Sequence, residues 1–96
     1  MRNRNKVLDK EIIERIKELT KNIKERVSYL RKDIDVIIRS KSKSHKQIES
    51  ILDELLDYSI QGFGEKEFRK LNSYYPNINK RASEDYDKYY EEMAVK

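Results

Sequence analysis

The first forty residues carry aliphatic side chains at regular helical intervals. From Leu8 to Ile37 these positions are three or four residues apart, with no strand-like alternation between apolar and polar positions. The aliphatic positions are Leu8, Ile12, Ile16, Leu19, Ile23, Val27, Leu30, Ile34 and Ile37. The pattern predicts one long amphipathic helix over residues 8–39, preceded by a flexible basic tail over residues 1–7. We expect the aliphatic stripe to be buried against other helices.

The spacing within this stripe also indicates how the helix packs. Steps of 4, 4 and 3 residues run from Leu8 to Leu19 and repeat from Leu19 to Leu30. An eleven-residue repeat keeps the stripe nearly straight along a helix, whereas a left-handed coiled coil requires alternating steps of 3 and 4. The pattern therefore favours a bundle helix.

A second, shorter helix is predicted over residues 45–61. Ser44 and Gln47 form a capping-box pattern directly before the apolar face that starts at Ile48. Gly62 provides the helix end, with Phe63 as the apolar residue that commonly follows a glycine cap. The two helices should form an antiparallel hairpin in which the second covers only part of the first.

Two further helices are predicted after Gly64, over residues 65–75 and 79–94. Pro76 should stop the third helix, and Asn79 can cap the fourth. We expect them to cover the part of the first helix that the second leaves exposed. The sequence thus predicts an all-α, bundle-like fold in which residues 1–96 form a single domain.

Composition narrows the class of protein. The chain has 96 residues, no cysteine and one histidine, which excludes disulfides and thiolate metal sites. It has neither a signal-peptide pattern nor an apolar run that could cross a membrane, so we expect a cytoplasmic protein without membrane association.

Charge is distributed unevenly along the chain. Residues 1–48 contain 15 Lys/Arg and 7 Asp/Glu, whereas residues 49–96 contain 7 Lys/Arg and 11 Asp/Glu. The charge difference between the halves permits nucleic-acid binding or packing of one half on the other.

Candidate catalytic chemistry is sparse. His45, Glu49 and Asp53 share one face of the second helix and could hold a divalent metal, but no second set of donors accompanies them. The acidic residues of the fourth helix fall opposite its apolar stripe, where a solvated role is expected. They are Glu84, Asp85, Asp87, Glu91 and Glu92. We expect no enzymatic activity, cofactor, metal or small-molecule substrate.

The turn between the first two helices is the best candidate for binding nucleic acid. Lysines, serine hydroxyls and the free N–H groups at a helix start can all hold phosphate. The basic residues concerned are Arg39, Lys41, Lys43 and Lys46. No recognition helix follows them, so this alternative function would not depend on nucleotide sequence.

The leading functional expectation is a protein–protein interaction module, such as a small regulator, inhibitor or assembly subunit. A 96-residue chain has little surface with which to cover a long stripe, so we expect self-association as a homodimer or binding to another protein. The residues expected at such an interface are Ile12, Ile16, Leu19, Ile23, Val27, Leu30, Tyr86 and Tyr90.

Overall fold

A computed structural model describes residues 2–94, with side chains from Asp9 onward. This described part contains four helices and no strand: α1 (Arg2–Ser40), α2 (His45–Ser59), α3 (Glu65–Tyr74) and α4 (Pro76–Met93). The predicted all-α, bundle-like fold is confirmed. The long helix α1 sets the largest dimension of the molecule, which measures 56 × 25 × 18 Å.

Helices α1 and α2 form the hairpin. At its tip the Ser42 N–H donates to the Ile37 carbonyl at 3.0 Å and the Lys41 N–H donates to the Ile38 carbonyl at 3.2 Å. These two bonds form a Schellman motif, with Lys41 in the left-handed region at φ 56°. The Ser44 hydroxyl then caps α2 by accepting from the Gln47 N–H at 3.2 Å. The first half of the predicted capping box is therefore present.

Away from the tip, ion pairs define how the helices run. Arg26 on α1 binds Glu54 on α2 at 2.6 Å, far from the connecting turn, so these helices are antiparallel. The Arg26 guanidinium lowers the pKa of the Glu54 carboxyl through this hydrogen bond. On the next helix, Glu67 pairs with Arg31 and Lys70 with Asp35. From the first pair to the second, the residue number increases along both α1 and α3, so α3 runs parallel to α1.

Two glycines with positive φ make the sharp connection between α2 and α3. The Phe63 N–H donates to the Tyr58 carbonyl and the Gly62 N–H to the Ser59 carbonyl, a second Schellman motif with Gly62 at φ 83°. Gly64, at φ 85°, is the N-cap residue of α3. The end of the second helix that the sequence predicted at Gly62 is thus explained by backbone geometry.

The helix boundaries differ from the predicted ones by more than one residue at three places. Helix α2 ends at Ser59, two residues before the predicted end at residue 61. Helix α1 begins at Arg2, before the predicted start at Leu8. Neither proline nor glycine interrupts this basic segment, and arginine and lysine favour helices. Helix α4 begins at Pro76, ahead of the predicted start at residue 79, with a single turn that Asn79, at φ −151° and ψ 91°, separates from the rest of the helix. The Asn79 side chain accepts from the Ala82 N–H at 3.0 Å, as expected of a cap.

The core lies between α2, α3 and the C-terminal half of α1, and α4 closes it from the side of α2 and α3. Within the described residues α4 does not pack on α1. The largest fully buried side chains are Tyr75, Phe68, Leu30, Ile34, Ile37, Ile48, Leu52, Leu55 and Leu71. The expectation that the third and fourth helices cover the remainder of the α1 stripe is wrong, because α3 packs on the half of α1 that α2 also covers, and α4 packs on α2 and α3 instead of α1.

Candidate interaction surface on helix α1

The N-terminal half of α1 presents an uncovered group of aliphatic side chains, which we name the aliphatic patch. Its members are Ile12, Ile13, Ile16 and Leu19, whose exposed fractions are 47%, 48%, 54% and 60%. Three of the four belong to the stripe predicted from the sequence, and Ile13 lies at its edge. Isolated exposed aliphatic residues are ordinary, but a contiguous group on one helix face is typical of an interaction site.

The patch ends where the packed helices begin. Ile23 is partly buried and Val27 is only 6% exposed, so the stripe enters the core within about one helical turn. An ideal Cβ at Gly64 would lie 3.8 Å from Val27 Cγ2, which places the α2–α3 connection directly against α1 at this level. Residues 23–94, which we call the helical body, therefore stop short of the patch.

Charged side chains of both signs surround the patch. Residues 9–26 contain 6 Lys/Arg and 5 Asp/Glu. Arg15 lies on one flank of the stripe, and Asp9 and Lys24 lie on the other, by the angular spacing of an α-helix. The patch is thus a narrow apolar strip with a mixed polar rim, the composition typical of protein–protein interfaces.

The structure separates the eight predicted interface residues into two groups. Val27, Leu30, Tyr86 and Tyr90 are 6%, 1%, 7% and 5% exposed and belong to the core of the chain itself. The remaining residues, Ile12, Ile16, Leu19 and Ile23, lie along the exposed or partly exposed segment of α1. Periodicity places all eight residues on apolar helix faces. It does not reveal which part of such a face is covered by another helix of the same chain.

The predicted nucleic-acid contacts lie together at the hairpin tip and are all exposed. They are Arg39, Lys41, Lys43 and Lys46. Arg39 Nε donates to the Asp35 carbonyl at 3.4 Å, and the Tyr74 hydroxyl holds the turn by donating to the Ser42 carbonyl at 2.8 Å. Within the described part of the chain, none of the four cations forms an ion pair with a carboxylate. The tip is therefore a fixed turn with its positive charge available.

The α2 side chains considered as metal ligands, His45, Glu49 and Asp53, contact tyrosine hydroxyls instead. The Tyr75 hydroxyl donates a short hydrogen bond to Glu49 Oε2 and lies 3.3 Å from His45 Nδ1. The Tyr86 hydroxyl donates to Asp53 Oδ1 at 2.7 Å. Burial and these carboxylates raise the pKa of both tyrosine hydroxyls well above the usual range. Among residues 9–94, no group of three His, Asp or Glu side chains is arranged to hold a metal ion.

Tyr75 is the residue that the sequence analysis missed, and it is the largest fully buried side chain. It follows Phe68 and Leu71 at steps of 3 and 4, so the apolar periodicity of α3 contained the signal. Pro76 directly follows Tyr75 and predicts a helix end at this point, which obscures the signal. Burial of the ring leaves its hydroxyl at the edge of the core, where the Glu49 carboxylate accepts its hydrogen bond.

Comparison with protein-family models, curated proteins and solved structures gave no significant match for this chain. No helix in the described part of the chain is both long enough and apolar enough to span a bilayer.

Proposed function

We propose that this protein is a non-enzymatic helical interaction module that docks on a protein partner through the aliphatic patch of α1. The observation that carries the proposal is the exposure of Ile12, Ile13, Ile16 and Leu19 on a helix segment that contacts no other helix of the described chain. Burial of a fully exposed side chain of this type gains roughly 1.5–3 kcal/mol, and because each of these four is already about half covered, a partner would add about half of that gain. A protein partner that covers them together would be stabilised by this burial.

The side chains most suited to catalysis have structural contacts, which supports the non-enzymatic part of the proposal. Glu49 and Asp53 accept hydrogen bonds from Tyr75 and Tyr86, and these contacts fasten α2 to the C-terminal residues. Asp87 and Glu91 lie on α4 near Arg69, at 3.9 Å and 3.8 Å from its guanidinium nitrogens. Their arrangement fits helix packing more closely than general acid–base chemistry, which requires a pocket.

Photo-crosslinking in the native cells tests this proposal. A benzoylphenylalanine at Leu19 should yield covalent adducts with a protein, whereas the same group at Val36 should yield none. Val36 is a matched control because it is 55% exposed on α1 but lies away from the patch, while Leu19 is 60% exposed. Equal adduct formation from both positions, or no adducts from position 19, would contradict docking through the patch.

The hairpin tip supports a second candidate function, sequence-independent binding of nucleic acid. The observation in its favour is that Arg39, Lys41, Lys43 and Lys46 are exposed on one fixed turn and form no ion pair within the described chain. Phosphate contacts of this kind release counterions and weaken steeply as salt rises.

A salt titration with labelled single- and double-stranded oligonucleotides tests the second candidate. Binding at low salt should disappear when Lys41, Lys43 and Lys46 are changed together to glutamate. The matched control changes Lys10, Lys17 and Lys21 on α1 to glutamate, which alters the net charge equally at a distance from the tip. Absence of binding at low salt, or an equal loss in the control, would reject the tip as a nucleic-acid site.

A further inference from the structure

We propose that the occupant of the aliphatic patch is an acidic amphipathic helix of a partner protein, which lies beside α1 in line with α3 and places carboxylates against Lys17 and Lys24. This inference rests on the docking function proposed above and names the chemistry of the partner. Three observations carry it: a row of cations beside the patch, the contact that α3 makes with the same row, and the cleft that joins the two regions.

Cations recur at every seventh residue on one side of the α1 stripe. They are Lys10, Lys17, Lys24 and Arg31. Seven residues make nearly two helical turns, so these side chains form a row along the edge of the stripe that contains Ile13. By the same angular spacing, the glutamates of residues 9–26 fall on the side of the helix away from the patch. They are Glu11, Glu14, Glu18 and Glu25. This edge of the patch is therefore basic, although the segment as a whole carries both signs.

Helix α3 shows how another helix contacts this row. Arg31 Nη2 lies 2.7 Å from Glu67 Oε2, and the Glu67 side chain is only 7% exposed where α3 packs on α1. Lys24 and Lys17 repeat the position of Arg31 one and two heptads earlier, and both are exposed. Within the described part of the chain they form no ion pair. A partner helix with carboxylates at the equivalent positions would extend the α1–α3 contact along the same row.

The surface that α3 covers is continuous with the exposed segment. A cleft between α1 and α3 extends from Arg31 to Lys24, with Val27 and Phe63 as its apolar lining. A second cleft follows from Lys24 along the exposed part of α1. It is lined by Ile16, Lys17, Thr20, Lys21 and Lys24. The partner helix would therefore lie against Ile16 with its apolar face and against lysines with its flank.

The combination of aliphatic and basic side chains favours a helix over a nucleic acid at this site. Nucleic acids contact lysines chiefly through phosphate oxygens, which gain nothing from an aliphatic side chain such as Ile16. An amphipathic helix covers the apolar positions with one face and reaches the cations from the positions that flank it. Because Lys17 and Lys24 are seven residues apart, they match carboxylates one heptad apart on the partner.

The contacts should centre on Lys17 and Lys24. Near Lys10 the surface also contains Asp9 and Glu14, which would repel a carboxylate of the partner. At the other end, the Lys24 side chain points towards the start of α1, as helical side chains do, and so reaches below the α2–α3 connection. From Lys10 to Lys24 the partner helix would cover about two heptads, or roughly 21 Å of α1.

Fluorescence anisotropy with two synthetic helical peptides tests the charge of the partner. Both peptides are about three heptads long with a leucine face, and they carry either glutamate or lysine at the flanking positions. The wild-type chain should bind the glutamate peptide roughly tenfold more tightly than the lysine peptide, or better. Lys17→Glu combined with Lys24→Glu should reverse this preference, because each attraction becomes a repulsion.

The control combines Lys43→Glu with Lys46→Glu, which alters the net charge equally at the exposed hairpin tip. It should bind both peptides like the wild type, and circular dichroism verifies that both double variants remain folded. Equal binding of the two peptides by the wild type, or equal effects of the two double variants, would overturn the acidic helix as the occupant. The same conclusion follows if a single-stranded oligonucleotide or an anionic phospholipid vesicle binds through Lys17 and Lys24 while the glutamate peptide does not bind.

Photo-crosslinking separates this inference from the function on which it rests. The adduct yield from benzoylphenylalanine at Leu19 should fall when Lys17→Glu and Lys24→Glu are added, and should not change with the control pair at the tip. Adducts that persist at full yield in the charge-reversed chain would leave docking through the patch intact and reject an acidic partner. If position 19 gives no adduct in the otherwise wild-type chain, the docking function fails as well.

Discussion

Lys41 adopts a backbone conformation that usually belongs to glycine. Its φ of 56° lets the chain leave α1 through a Schellman motif, with the Ser42 N–H bonded to the Ile37 carbonyl. For a residue with a Cβ this left-handed region costs about 1–2 kcal/mol. The hairpin tip therefore contains local strain that tight packing elsewhere offsets.

Replacing Lys41 with glycine should relieve this strain. We expect Lys41→Gly to increase the free energy of unfolding by about 0.5–1 kcal/mol, measured by urea denaturation. Lys43→Gly removes the same charge from the same turn at a residue without positive φ. It should leave stability unchanged or lower it, because glycine increases the freedom of the unfolded chain. A larger gain from Lys43→Gly would contradict this explanation.

Gly62 and Gly64 share a positive φ but differ in the space around them. A Cβ at Gly62 would meet nothing within 4 Å, whereas one at Gly64 would lie 3.0 Å from Leu55 Cδ2. Gly62→Ala should therefore cost about 1 kcal/mol from backbone strain alone. Gly64→Ala should cost about 2 kcal/mol or more, because the buried Leu55 must also shift. Equal urea midpoints for the two variants would show that the contact with Leu55 is unimportant.

At the scale of elements, α3 is fastened to α1 by two ion pairs of unequal burial. Arg31 Nη2 lies 2.7 Å from Glu67 Oε2, and the Glu67 side chain is only 7% exposed. Lys70 Nζ lies 2.7 Å from Asp35 Oδ1, but these side chains are 54% and 41% exposed. The Lys70 ammonium lowers the pKa of the Asp35 carboxyl through their hydrogen bond. Only the first pair leaves a buried charge when its cation is removed.

The two pairs should consequently respond differently to loss of the cation. Arg31→Met leaves the Glu67 carboxylate buried without its partner and should lower the free energy of unfolding by about 2 kcal/mol. Lys70→Met should lower it by less than about 0.5 kcal/mol, as is usual for an exposed pair. Adding Glu67→Met to Arg31→Met should recover part of the loss. Equal costs for the two single variants would contradict the role assigned to burial.

The helices were the most predictable part of the fold. Ser44, Asn79 and the Gly62–Gly64 pair act through hydrogen bonds and backbone angles a few residues apart, so their roles follow from local sequence. The start of α1 was less predictable, because a basic segment without helix breakers can either continue a helix or remain extended. The hydroxyl of the buried Tyr75 bonds to Glu49, which lies 26 positions away, so local sequence does not reveal this contact.

At the scale of the whole molecule, tyrosine hydroxyls donate hydrogen bonds to carboxylates of α2. Tyr75 and Tyr86 bond to Glu49 and Asp53 on α2, and Tyr58 bonds to Glu54 within α2. Burial, together with the Glu54 hydrogen bond, raises the pKa of Tyr58 to about 12. The folded chain therefore retains these protons at pH values where the unfolded chain, with tyrosine pKa values of about 10, has lost them.

This difference predicts a loss of stability at alkaline pH. The contribution of the three hydroxyls is fully present below about pH 10 and is lost as the pH rises through 10 towards 12 and beyond. Urea midpoints measured from neutral to strongly alkaline pH should fall over that range. Tyr86→Phe should make the fall shallower, whereas Tyr29→Phe, at a side chain that is 66% exposed, should not. A Tyr86→Phe profile parallel to the wild type would contradict the assignment.

The sequence by itself determined that the chain is helical, where the helices turn, and which face of α1 is apolar. These properties depend on contacts between residues three or four positions apart, which the order of amino acids records directly. Only the tertiary structure decided that Val27 and Leu30 lie in the core while Ile12, Ile16 and Leu19 remain exposed. That division depends on where α2 and α3 dock on α1, because contacts between distant segments leave no periodic signal along the chain. The proposed interaction surface is the half of the stripe that these helices leave uncovered.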